Sequence, residues 1–139
     1  MSTQLRCRSL LAAMASLAMA ACTNPAAPTP AEIGGTWNLR NLRPAGGVEQ
    51  ARPASTVYSI TIESGRVSAR ADCNTCNGSA TLASSTLTLG PGLACTRAAC
   101  ATAAFESVFT TMLSGDHTAA VSGGALTLSS TRGVMRFER

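Results

Sequence analysis

The chain has 139 residues, 45% of them apolar but only 4% aromatic, with a formal charge of +4 from eleven arginines, no lysine and seven acids. That length accommodates one domain and not two, and a core with so few large side chains buries limited area, so covalent cross-links carry weight. The arginines are scattered rather than clustered, which excludes the basic footprint of a nucleic-acid-binding protein, and no nucleic-acid partner is expected.

Residues 1–21 read as an export signal. Arg6 and Arg8 precede an uncharged apolar run over residues 9–20, about a dozen residues where a spanning helix needs about twenty. Met19-Ala20-Ala21-Cys22 resembles a bacterial lipobox, which implies cleavage before Cys22 and acylation of its thiol and new amino terminus. The alternative is an ordinary cleaved signal in which Cys22 merely follows the alanines. Thr23 rather than Asp comes next, which by the sorting rule of such lipoproteins implies the outer membrane, facing the periplasm, where the organism has one. Membrane lipid is therefore the first expected partner, through acylated Cys22. Cys7 falls in the discarded segment. Residues 22–31 carry Pro25, Pro28 and Pro30 and favour polyproline II. At ~3.1 Å per residue the nine residues 23–31 reach roughly 28 Å, and the tether leads to a domain over residues 32–139.

In the domain, Trp37 and Leu39 alternate with polar neighbours over residues 36–42, the mark of a half-buried strand. Residues 43–47 break it, and residues 48–55, with Pro53, read as loop or a poor edge strand. Residues 56–63 are the cleanest strand, with Tyr58, Ile60 and Ile62 on one face. Ser64-Gly65 turns the chain into a partner strand at 66–70, and Asn77-Gly78 predicts a second turn. Short strands follow at 79–82 and 86–89, ended by Gly90-Pro91-Gly92. Over residues 102–113 the period changes: Phe105, Val108, Phe109, Met112 and Leu113 mark a helix with one apolar face. Thr102 is its expected N-cap and Gly115 its stop. Strands at 117–121, 125–129 and 134–138 close the chain, with turns at Gly123-Gly124 and Arg132-Gly133. One helix among about eight short strands predicts a mainly β (α+β) fold. It is an antiparallel, curled or barrel-like sheet with the helix packed against it.

Cys73, Cys76, Cys95 and Cys100 concentrate the chemistry. An exported chain meets an oxidising compartment, and an even count favours disulfides. Of three connectivities the spacing favours the nested one, Cys73–Cys100 with Cys76–Cys95, in which closing the outer loop is worth about 3.6 kcal/mol in the chain-entropy model. The spacings from Cys73 to Cys76 and from Cys95 to Cys100 are both odd, so perfect strands would put neighbouring cysteines on opposite faces, and turns or bulges are required. Two alternatives remain open. The spacing approaches that of a zinc ribbon, and Cys73-Asn-Thr-Cys76 has the form of a dithiol redox motif, although Asn, Asn and Gly surround it and no βαβ pattern is present.

Gly35-Thr36-Trp37-x-Leu39, Cys73-Asn74 with Gly78 four residues on, Thr96-Arg97-Ala98-Ala99-Cys100, and Phe105-Glu106 opening an apolar helix together resemble the META domain. This is the family of heat-inducible, HslJ-like bacterial lipoproteins. The resemblance implies a compact, mainly β fold with one helix, no established enzymatic activity, and loose links to envelope stress, motility or secretion. It also implies a cysteine pair at Cys73 and Cys100. The sequence departs from the pattern at Ala80, where an aromatic is expected, and in Cys76 with Cys95, which look like an added bridge compensating for a thinner core.

No catalytic constellation emerges. His117 is the single histidine, and beside Asp116 at a helix end it reads as a capping or surface residue; no G-x-S-x-G and no phosphate loop is present. The expectation is a non-catalytic, lipid-anchored, disulfide-stapled interaction or envelope-stress module. It would be a monomer with no cofactor, working on an envelope protein or small ligand. The runner-up is a small-ligand-binding or enzyme-inhibitor β domain, for which a lined apolar cavity of a few hundred Å³ is the mark. A zinc or thiol-redox protein comes third.

Overall fold

The computed structural model describes residues 26–139. The export signal, Cys22 and the start of the tether lie outside the described residues. Pro30–Ile33 forms a one-turn helix, α1. Its N-cap Thr29 accepts from the Glu32 N–H through its hydroxyl, and the Glu32 carboxylate accepts from the Thr29 N–H at 2.7 Å, a reciprocal capping box. Pro30 and Ala31 are therefore helical, not the extended spacer predicted for them. A proline at the first helical position costs no hydrogen bond, and its fixed φ suits the helix. Pro28 is also buried.

Ten strands follow: β1 (Gly35–Pro44), β2 (Gln50–Ala51), β3 (Tyr58–Glu63), β4 (Arg66–Ala71), β5 (Asn74–Ala83), β6 (Thr86–Leu89), β7 (Ala94–Cys95), β8 (Gly115–Ser122), β9 (Ala125–Ser130) and β10 (Gly133–Glu138). Helix α2 (Ala103–Leu113) lies between β7 and β8. Every pairing is antiparallel. The ring β1-β3-β4-β5-β6-β8-β9-β10 closes because β10 returns to pair with β1. Closure removes the exposed edges of an open sheet. Only β2 and β7 stand outside the ring, as short additions to β1 and β5. The mainly β, barrel-like fold predicted from the periodicity is the fold observed.

Two predicted turns move. Asn77-Gly78 lies inside β5, opposite Ser68 and Val67, and the β4–β5 turn is made by Asp72-Cys73, with Asp72 at φ 56°. A Cβ at 78 would stand 2.6 Å from Cδ2 of Leu93, so a larger residue there must push that half-buried side chain aside. The β9–β10 turn is Thr131-Arg132, and Gly133 opens β10 at φ 132°, where a Cβ would collide with the carbonyl of Arg43.

Alternation along the strands sends one face of each inward, where Trp37, Leu39, Ile60, Leu89, Leu126 and Phe137 are all at or below 1% exposure. A bulge between Leu39 and Asn41 lets β1 keep Leu42 inward as well. The interior is thus filled by side chains. Its two mouths are closed differently. At one, α1 folds over the start of β1, and the indole N–H of Trp37 donates to the Ile33 carbonyl at 2.7 Å. At the other, α2 lays Phe105, Phe109, Met112 and Leu113 over the barrel. Tyr58 meets Phe105 and Phe109 edge-to-face there, at 4.9 and 5.2 Å between centroids, contacts worth about 0.5–1.5 kcal/mol each beyond the area they bury.

Candidate functional site

The α2 mouth gathers most of the polar chemistry. Cys73 sits exposed in the β4–β5 turn, while Cys76 points inward from β5 at 0% exposure. That turn resolves the odd spacing, placing one cysteine out and the other in. The structure joins Cys73 to Cys100 and Cys76 to Cys95, with Cα atoms 5.6 and 4.0 Å apart. Cys73 and Cys76 therefore have different partners, and with all four sulfurs oxidised neither the zinc nor the dithiol alternative has thiols to use. Among the described residues no cluster of three or more His, Cys, Asp or Glu is placed to hold a metal.

Asn74, 1% exposed, organises the segment between the bridges. Its Oδ1 accepts from the Ala98 N–H and the Thr96 hydroxyl, both at 2.8 Å. Its amide nitrogen donates to the Ala98 carbonyl at 3.0 Å and to Glu106 Oε1 at 2.8 Å, with Cys100 Sγ at 3.1 Å. Two amide hydrogens serve the two oxygens first, sulfur being the weakest acceptor of the three. One side chain thus stands in for a strand partner to residues 96–98 and also reaches α2. Beside it, the Thr102 hydroxyl and N–H both donate to Asp72 Oδ2, at 2.6 and 3.1 Å, so the Tyr58 hydroxyl donates to Thr102 Oγ1 at 2.7 Å. Thr102 occupies the N-cap position but makes no side-chain cap; the carboxylate of Asp72 takes the free N–H there, where the helix dipole favours negative charge. Burial raises the Tyr58 hydroxyl above its ordinary value of 10.0, against the bond to Thr102, and the charges of Asp72 and Glu106 push the same way. It stays a donor. The network locks residues 96–102 onto the barrel and presents no reactive group.

The other end of α2 is held by side chains from the barrel. The Leu113 carbonyl accepts from His117 Nε2 at 2.9 Å, and Arg132 donates to the Ser114 carbonyl. His117 is a cap, as one of its two expected roles requires, but not a surface residue: it belongs to β8 and is 1% exposed. Its Nδ1 has no hydrogen-bond partner among the described residues. Burial lowers its pKa below the ordinary 6.5; the bond to Leu113 opposes this, Arg132 adds to it, and Asp116 opposes it.

Two recesses flank these structures. A polar groove of about 570 Å³ separates residues 93–98 from the outer face of α2, with Asn74 at its floor. A recess of about 410 Å³ opens at the α1 mouth between Ile33, Ile62, Ala80, Leu82 and Leu87. Ala80, the position where the aromatic was expected, forms part of that wall. Asn74 was visible in the sequence only as a motif residue. Nothing in the spacing could pair Thr102 with Asp72 or Tyr58, because those contacts join residues 30 and 44 positions apart.

The chain was compared with known proteins on this basis. No curated protein matches it. A protein from Burkholderia xenovorans, solved by NMR, superposes with a TM-score of 0.65 at 20% identity, over 99% of this chain and 97% of that one. A second NMR structure gives a TM-score of 0.62 at 21% identity, over 80% and 94%. At such identities these likenesses speak to the fold alone. The family model of the META domain matches residues 30–139, from the first residue of α1 through the last strand, and the chain belongs to the META-domain family.

Proposed function

We propose that this protein is a non-catalytic, lipid-anchored module of the bacterial cell envelope that acts by contact with another envelope protein. The observation that carries this is the division of labour between the mouths. The chain enters at the α1 mouth, so a tether from acylated Cys22 holds that end toward the membrane. The α2 mouth, with its bridges and groove, then projects away from it. Two disulfides suit a compartment outside the cytoplasm. No helix among the described residues is long and apolar enough to cross a membrane, and acylation at Cys22 supplies the attachment in this reading. The interior, packed with side chains, supports contact at the surface over capture of a ligand within.

The α1-mouth recess, with its aliphatic wall, favours the small-ligand alternative. Its aliphatic wall is nearly all buried already, Ile33 and Leu87 at 1% and Ile62 at 8%. A bound molecule would gain little apolar area there. The decisive experiment for the anchor is metabolic labelling with radioactive palmitate. Label on the wild type in the membrane fraction, and its absence from Cys22→Ser, is the expected result; an unlabelled wild type rejects lipid anchoring.

A further inference from the structure

The groove beside α2 has free backbone along one wall. Cys76 and Cys95 face each other with Cα atoms 4.0 Å apart, the short separation of a non-hydrogen-bonded antiparallel pair. The Thr96 N–H donates to the Thr75 carbonyl at 3.0 Å, so residue 96 directs its backbone toward β5. Alternation along the extended chain then turns the N–H and C=O of Cys95 and Arg97 the other way, toward the groove. No hydrogen bond to the backbone of Arg97 is found among the described residues. The ring of the barrel has no edge, which leaves β2 and β7 as the strands with one. The β2 edge is flanked by charge and proline, with Glu49 and Arg52 on either side and Pro53 next; such residues discourage strand addition. The β7 edge has neither charge nor proline directly beside it, the first charge being Arg97 two residues on.

The opposite wall is the outer face of α2, carrying Glu106, Ser107, Thr110 and Thr111. From Ala103 to Thr111 the helix advances about 12 Å at ~1.5 Å per residue, the length of about four extended residues at ~3.3 Å each. A strand edge facing a helix across such a gap is the geometry in which extended peptides add to a sheet. Charge narrows the choice of peptide. Arg97 is exposed and takes part in neither ion pair found among the described residues, Arg40–Glu138 and Arg136–Glu49. Glu106 is already engaged by Asn74 at the groove floor. The two bridges hold the edge in place before anything binds, which lowers the ordering cost of association.

We propose that this groove receives an extended segment of a partner protein, about four residues long, which pairs as a strand with the free edge at Cys95 and Arg97 and sets an acidic side chain against the Arg97 guanidinium. This rests on the reading of the protein as an interaction module and names its surface and the class of its partner.

The test uses the full-length, oxidised protein and a random-peptide phage library, with recovered sequences made as synthetic peptides. Acid-containing extended peptides are expected, shifting the amide resonances of residues 93–98 and 106–111. Arg97→Pro deletes the guanidinium together with an unbonded N–H, and an extended Thr96 is what a following proline prefers. Measured against Arg97→Ala, which lacks only the guanidinium, it should weaken binding about a further tenfold, the worth of one main-chain hydrogen bond, with the thermal midpoint unchanged. Ser107→Trp, which fills the groove from the helix side and leaves the edge intact, should weaken the same peptides should the proline variant fail to fold. Arg97→Ala should abolish the preference for an acid. Recovery of no peptide, resonance shifts confined to the α1 mouth, or binding that survives both Arg97→Pro and Ser107→Trp overturns the proposal. Failure here with palmitate labelling intact removes the groove alone, whereas lost labelling removes the anchor and leaves the groove standing.

Discussion

At the α1 mouth the barrel is shut by one turn of helix, an indole and the last residue of the chain. The Arg139 guanidinium stacks 4.1 Å from the Trp37 ring centroid and donates to the carbonyls of Glu32 and Gly34. At the α2 mouth the closure takes eleven helical residues, two disulfides and the Asn74 and Asp72 networks. The first brings the two ends of the domain together through one buried indole and one exposed guanidinium. The second holds down the long excursion between β6 and β8, which would cost much entropy to order without a covalent link. A five-aromatic core cannot supply that order at both ends, and the bridges stand at the end where the chain makes its longest excursion out of the barrel, between β6 and β8.

The largest expected effect comes from opening that staple. Cys73→Ala with Cys100→Ala should destabilise the protein by about 3 kcal/mol in urea unfolding. Amide exchange should rise at β7 and α2 while the α1 mouth keeps its protection; a uniform rise would break the contrast between the mouths. Asn74→Ala, with both bridges intact, leaves the Ala98 N–H and the Glu106 carboxylate without their partner, and a loss of about 2–3 kcal/mol is expected. A loss below about 0.5 kcal/mol would mean that the disulfides alone position residues 96–102. At the other mouth, Arg139→Ala should cost only about 1 kcal/mol, since its contacts are exposed. Ala80→Tyr, filling the recess beside α1, should gain about 0.5–1 kcal/mol, read as a rise in thermal midpoint; a fall would show that the recess cannot take a ring.

The gentlest probe is pH. The folded-state pKa of His117 is depressed, so its contribution to stability is complete above the unfolded value of ~6.5 and is lost as pH falls from there through the folded value. The groups facing it, Asp116 and Arg132, act in opposite directions. His117→Gln should flatten this acid-side decline at the α2–β8 junction, measured as unfolding midpoint against pH. An unchanged slope would assign the decline to other groups.

How much of the molecule was legible follows from the range of each interaction. The strand of Tyr58, Ile60 and Ile62, the helix of Phe105, Phe109 and Met112, and the Ser64-Gly65 turn were readable because periodicity and turn chemistry act over a few residues. Asn77-Gly78 misled because a good local turn signal was overridden by packing: the space at Gly78 is occupied by Leu93, fifteen residues on. His117 misled for a similar reason, since a position next to a helix end does not reveal that the following strand turns inward.

By itself the sequence determined the strand and helix periods, the inward faces and the concentration of four cysteines in one stretch, because these are properties of neighbouring residues. Only the tertiary structure decided that the sheet closes through β10 and β1, that Asn74 joins the loop of residues 96–98 to α2, that Asp72 caps the helix in place of Thr102, and that β7 keeps an open edge. Each of these depends on groups brought together from distant positions, and which of many compatible partners a group meets is settled by closure and packing of the whole chain.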